Sequence, residues 1–268
     1  MILAIDIGNS NIVLGCMQGK QILKEARMAT DLLKTSDQYC AELKSMLDLL
    51  EIDIKGIEGA IISSVVPPVL NSFKTAIIKL TGITPLVVGP GIKTGLNILL
   101  DNPALAGGDL IVAAVAALEQ YQPPLLIVDM GTATTITAID SRGNFLGGSI
   151  FPGVKISAEA LSGKTAQLPA ISLEVPEKVI GRNTVDCMRS GLMTGTAAML
   201  DGMFQRMEEE LGVSATVVAT GGIAKFIIPL CRREVIYDKD LLLRGLAILY
   251  ENNRKNRNRD NHHGRIYL

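Results

Sequence analysis

Histidine is almost absent from this 268-residue chain: the two that occur, His262 and His263, are adjacent and lie in a polar stretch near the C-terminal end. Their position removes Ser-His-Asp and Cys-His relays and HExxH metal chemistry from the body of the chain, so proton transfer there falls to carboxylates or lysines. Cysteine is scarce as well. Cys16, Cys40, Cys187 and Cys231 stand far apart without a CxxC pair, a pattern that indicates neither a zinc site nor a dense disulfide framework and reads as small hydrophobes of the interior. No uncharged apolar run reaches the ~18 residues of a membrane helix. The opening MILAIDIGNS carries an acid at Asp6 and no basic lead-in, so the expected location is cytoplasmic. Neither sign of charge dominates, with 26 Lys plus Arg against 27 Asp plus Glu. No global field draws the molecule toward nucleic acid or a membrane, and a small-molecule partner is expected.

What is present is an ordinary globular composition, 48% hydrophobic and 20% charged, on a chain long enough for one large domain or two smaller ones. An internal echo divides it. ILAIDIGNSNIVLG from Ile2 resembles LLIVDMGTATTITA from Leu125, with the same 123-residue interval between Asp6 and Asp129 as between Gly8 and Gly131. Each copy reads as strand, tight turn and strand. A further pair, GAIISSVVPPVLNSF from Gly59 and ATVVATGGIAKFI from Ala215, reads as a buried strand followed by a helical pattern. Helical spacing also runs over 36–50, 110–120 and 199–211. Strands alternating with helices predict an α/β fold of two related halves, 1–120 and 125–252, joined near Tyr121-Gln122-Pro123-Pro124. Residues 253–268 read as a basic, polar, loosely ordered tail; without interleaved aromatics it predicts no nucleic-acid partner.

The repeated Asp-x-Gly turns have a chemical use. Glycine lets backbone N–H groups approach phosphate, neighbouring hydroxyl or amide side chains donate hydrogen bonds, and the carboxylate can hold a hard cation. One such turn is commonplace, but two in register, with Asn9, Ser10 and Asn11 in one and Thr132, Thr134 and Thr135 in the other, suit a triphosphate held in a central cleft. Thr220-Gly221-Gly222, closing a buried strand, fits the same chemistry.

These turns resemble those of the acetate and sugar kinase, chaperone and actin superfamily, whose duplicated ribonuclease H-like halves close on ATP. Within it the chain resembles the type III pantothenate kinases, also called the Bvg accessory factor family. The ordered motifs that carry the likeness are DIGNSN at Asp6, GPGIKTG at Gly89, DNPALAGGD at Asp101, DMGTATT at Asp129, GGSIFPGV at Gly147, KTAQLP at Lys164, GRNT at Gly181, ATGG at Ala219 and LLLRGLAILYENN at Leu241. The resemblance implies ATP-dependent phosphorylation of the terminal hydroxyl of pantothenate, the first step toward coenzyme A, by a homodimer using Mg²⁺ and K⁺ or NH₄⁺. It implies Asp109 as general base. ATP contacts would come from Asp6, Ile7, Gly8, Asn9, Ser10, Asn11, Ile12, Val13 and Thr132, and the monovalent-cation ligand would be Asp129. Pantothenate contacts would come from Gly107, Gly108, Asp109, Leu110 and Thr184. The chain departs from the family where Gly-Ala-Asp-Arg is usual and Gly107-Gly108-Asp109-Leu110 stands, and where Leu100 replaces a usual Tyr. Those departures keep two other readings open: a nucleotide-binding paralogue without turnover, and an ATPase in which Asp109 orients water.

Overall fold

The computed structural model describes residues 1–263, with side chains as far as Arg254. The chain runs β1 (Ile2–Ile7), β2 (Asn11–Gln18), β3 (Gln21–Ala29), α1 (Ser36–Leu49), β4 (Gly59–Ser64), α2 (Pro67–Thr81), β5 (Leu86–Val87), α3 (Gly108–Gln120), β6 (Leu125–Met130), β7 (Ala133–Ile139), β8 (Phe145–Pro152), α4 (Val154–Lys164), α5 (Thr184–Arg189), α6 (Gly195–Leu211), β9 (Thr216–Thr220), α7 (Ala224–Ile227), β10 (Ile236–Tyr237) and α8 (Leu241–His263). Mutual contacts group these elements differently from their linear order. One compact unit holds Met1–Gly95, Asn102–Ala116 and the described chain from Leu241; the other holds Leu96–Asp101 and Ala117–Asp240.

Each unit contains a five-stranded sheet, ordered β3-β2-β1-β4-β5 in the first and β8-β7-β6-β9-β10 in the second. In both, the first three strands of the order are antiparallel neighbours and the remaining two join in parallel. The repeat seen in the sequence is therefore a repeat of topology, the mixed α/β arrangement expected of duplicated ribonuclease H-like halves.

In the first unit α1 and α2 cover one sheet face. Leu3, Ile5 and Ile7 alternate into a core with Ile12, Leu14, Leu43, Phe73 and Ile77, the period-2 pattern of a strand meeting the helical stripes of its cover. Thr35 and Gln38 form a reciprocal capping box that starts α1. Fully buried Tyr39 stacks edge-on against Phe73 with ring centroids 5.3 Å apart, and its hydroxyl donates to the Asp31 carbonyl at 2.7 Å. The opposite face is covered by α8, with Leu243 against Gly15 and Tyr250 over Gly59. That packing explains why residues from Leu241 onward join the first unit rather than the half that precedes them in sequence.

In the second unit Leu126, Val128, Met130 and Ile136 pack with Leu200 and Phe204 of α6 and with Val217 and Ala219 of β9. The helical pattern expected after Gly222 is cut to the four residues of α7 and a 3₁₀ turn, Ile228–Leu230, because Pro229 cannot continue an α-helix. Between α5 and α6 the helix widens into a π turn over Ser190–Thr194. α8 carries helix on to His263, so the loose tail expected from residue 253 is replaced by helix over that span; the remainder of the expected tail, 264–268, lies outside the described residues. All four cysteines are free, but Cys187 is exposed, against the expectation of burial. Burial pushes the thiols of Cys16 up to about 11 and Cys231, with help from the Asp201 charge, up to about 12, which leaves both inert as nucleophiles at neutral pH.

Candidate functional site

The first unit places Asp6 next to last in β1, half-buried, beside a turn whose side chains Asn9, Ser10 and Asn11 are all exposed. The Gly8 N–H donates to the Asn11 carbonyl at 2.9 Å. The turn is fixed from behind by Thr30, whose hydroxyl donates to the Gly8 carbonyl at 2.6 Å and whose N–H donates to the Ser10 carbonyl at 3.1 Å. Thr30 was not identified by sequence; nothing in a lone Thr 22 residues downstream signals that contact. Ile7 and Ile12, assigned with the segment, are fully buried in the core, so they can serve a ligand only through their backbone, whereas Val13 is half-buried.

Asp109 stands in the first turn of α3, following the 3₁₀ turn Pro103–Leu105 that Asn102 caps. Its carboxylate accepts the Leu110 N–H at 2.9 Å. Burial raises the Asp109 pKa, an effect only partly opposed by hydrogen bonds from the Leu110 and Asp109 N–H groups. Gly107, Gly108 and Leu110 are half-buried around it. A desolvated, incompletely hydrogen-bonded carboxylate at a helix start is poised to accept a proton.

In the second unit the matching turn is tighter. The Gly131 N–H donates to the Ala133 carbonyl at 3.0 Å, and the turn leaves two residues between strands where the first leaves three. Beyond the turn the repeat is thus offset by one residue, so Asp6 faces Val13 but Asp129 faces Thr135. Thr132 sits in this turn. Its carbonyl accepts the Gly153 N–H at 3.1 Å, and a Cβ at Gly153 would strike that same oxygen. Gly221, at φ +98°, lies so close to β6 that a Cβ there would come 2.5 Å from the Met130 carbonyl. The glycine that sequence reasoning gave to a nucleotide therefore first admits the chain's own backbone.

Asp129 is flanked in the sheet by Thr135 and by Thr220, and Thr135 has a buried hydroxyl without a hydrogen-bond partner. This is an all-oxygen donor set, the kind that suits a hard cation. Among the described residues no three His, Cys, Asp or Glu side chains gather as a metal cage.

Thr184 is the first residue of α5 and not its cap: Asn183 takes that role, accepting the Asp186 N–H at 2.9 Å. Together with Leu161, Leu168, Arg182, Asn183 and Cys187, Thr184 lines a cavity of about 600 Å³ within the second unit, bordered by the π turn at Gly191 and Leu192.

Two sheets of this repeated topology, each opening a hairpin turn after an Asp-bearing strand, make up the fold that the actin-like ATPases share with the sugar kinases. Solved structures of that fold resemble the chain over nearly its whole length. The activator of 2-hydroxyisocaproyl-CoA dehydratase from Clostridium difficile, with bound ADPNP, aligns at TM-score 0.58 and 14% identity over 97% of each chain. A ROK family glucokinase from Streptomyces griseus aligns at TM-score 0.54 and 14% identity over 95% of this chain and 99% of its own. At such identities the likeness is one of fold. Closer relatives narrow the class: the model of the type III pantothenate kinase family matches residues 2–206. Type III pantothenate kinases from Exiguobacterium sibiricum and Halalkalibacterium halodurans are 47% and 43% identical over 95% and 94% of this chain and all of their own length. The chain belongs to the type III pantothenate kinase family.

Proposed function

We propose that the protein transfers the γ-phosphoryl group of ATP to the terminal hydroxyl of pantothenate, yielding 4′-phosphopantothenate and ADP as the first step of coenzyme A synthesis. The observation that carries this reading is the half-buried Asp109 carboxylate with its raised pKa at the start of α3, in a chain with no histidine outside its C-terminal stretch. A primary alcohol is a weak nucleophile. Asp109 accepts its hydrogen bond and then its proton as the oxygen–phosphorus bond forms and the bond from the γ-phosphorus to the β,γ-bridging oxygen breaks, releasing ADP.

The exposed Asn9, Ser10 and Asn11 side chains serve phosphate oxygens, with Thr132 as a further ATP contact. Gly107, Gly108, Leu110 and Thr184 serve pantothenate. Thr30 holds the first turn in shape through the Gly8 carbonyl. Asp6 would hold Mg²⁺ jointly with the nucleotide, which supplies further oxygen ligands through its phosphates. Asp129, with the Thr135 hydroxyl beside it, would hold K⁺ or NH₄⁺. When bound, these ions neutralise charge on the phosphates.

The working form is a homodimer in the cytoplasm. Ile150 is 74% exposed on β8, the edge strand of its sheet, an apolar side chain that a second copy would cover. None of the described helices is long and apolar enough to cross a membrane. Purified protein given ATP, Mg²⁺ and K⁺ is expected to release ADP only when pantothenate is added. Release without pantothenate would make it an ATPase, and nucleotide binding without release would make it a non-catalytic paralogue.

A further inference from the structure

Ser63 is the penultimate residue of β4 and is fully buried, yet its hydroxyl has no hydrogen-bond partner. The neighbouring Ser64 hydroxyl, by contrast, accepts the Val66 N–H at 3.1 Å. Unsatisfied buried hydroxyls are rare, because each forfeits its hydration without compensation. The place of this one is informative. In the parallel β1–β4 pairing Ser63 is the direct partner of Asp6, so the two side chains share a sheet face. That face is the one opposite α1 and α2, since Ile62 and Ile7 point into their core. On it the Ser63 hydroxyl lies 3.4 Å from where a Cβ on Gly108 would stand, and Gly108 is the residue before Asp109. A single unpartnered hydroxyl thus sits between the carboxylate at the end of β1 and the helix turn that carries the proposed base.

We propose that Ser63 is a positioning residue: as the phosphoryl group is transferred, its hydroxyl hydrogen-bonds to the first turn of α3 and fixes the Asp109 carboxylate toward the substrate hydroxyl. The bond forms as Asp109 gives up its local bond from the Leu110 N–H and takes the substrate proton. Interactions made only in the transition state raise turnover rather than ground-state affinity.

This inference rests on the kinase reading, and Ser63→Ala separates the two. The expected result is a kcat lowered roughly 10-fold or more, KM for ATP and for pantothenate each within about twofold of wild type, and a thermal midpoint at or above wild type, since an unsatisfied hydroxyl has been removed. Unchanged kcat would overturn the proposal. So would a raised KM at normal kcat, which makes Ser63 a binding group, or kcat and midpoint falling together, which makes its role structural. A wild type without pantothenate-dependent turnover would overturn the kinase reading and this proposal with it, whereas a normal wild type beside a normal variant would overturn this proposal alone.

Discussion

Burial holds the Asp109 carboxyl above the ordinary aspartate pKa, and the sign of that shift fixes two opposite pH effects. The folded chain keeps this proton to higher pH than the unfolded chain, so Asp109 costs stability increasingly as pH rises from the ordinary aspartate value through the raised one. Catalysis as a base needs the proton gone, so the acid limb of kcat/KM is expected above the ordinary aspartate range. Asp109→Asn should abolish that limb, lower turnover by at least ~10²-fold, leave ATP affinity intact in calorimetric titration, and not lower the thermal midpoint at neutral pH. A second residue-scale test concerns Leu110, where the family carries Arg. Leu110 is half-buried and not sealed in the core, so a guanidinium there can reach solvent or substrate. Leu110→Arg is expected to raise kcat/KM for pantothenate by roughly 10-fold or more, the worth of a charge-assisted hydrogen bond, with little change in KM for ATP. At this scale the sequence made Asp109 legible through its motif, while its desolvation, the support from Thr30 and the unpartnered Ser63 depend on contacts between distant segments that no local pattern records.

The elements themselves were largely legible. The repeated strand-turn-strand units, the helical spacing over 36–50 and the break of α3 before Pro123 all follow from local chemistry, and α1 ends within a residue of the expected boundary. What local pattern could not supply was the shortening of α7 at Pro229, the π turn before α6, the one-residue difference between the paired turns and the helix continuing past residue 252. The first was present as a proline overridden by an apolar pattern; the others are decided by packing. Gly221 gives the element-scale prediction. Its positive φ and its contact with the Met130 carbonyl leave no room for a methyl group, so Gly221→Ala should destabilise the protein by about 2 kcal/mol or more in urea unfolding. Thr35→Ala, which removes half of the capping box on α1, should cost about 1 kcal/mol in the same measurement.

For the whole molecule, the two hairpins of the repeat differ in what they offer a ligand. The first presents exposed amide and hydroxyl side chains beside Asp6, and the second is tighter, with an oxygen-lined position at Asp129. Replacing K⁺ by Na⁺ is therefore expected to depress turnover, and Asp129→Ala should remove the difference between the two salts while Asp6→Ala mainly weakens use of Mg-ATP; full activity in sodium alone would remove the monovalent site from the account. The proposed homodimer predicts twice the chain mass in sedimentation, reduced toward one by Ile150→Lys. The central claim, phosphoryl transfer to pantothenate with Asp109 as base, is tested most directly by following the label from γ-³²P-ATP in wild type and Asp109→Asn under the same Mg²⁺ and K⁺. The label should appear in phosphopantothenate with wild type and fall by at least ~10²-fold in the variant, with ATP binding retained. Label accumulating in inorganic phosphate, or an Asp109→Asn protein that phosphorylates pantothenate at the wild-type rate, would contradict it.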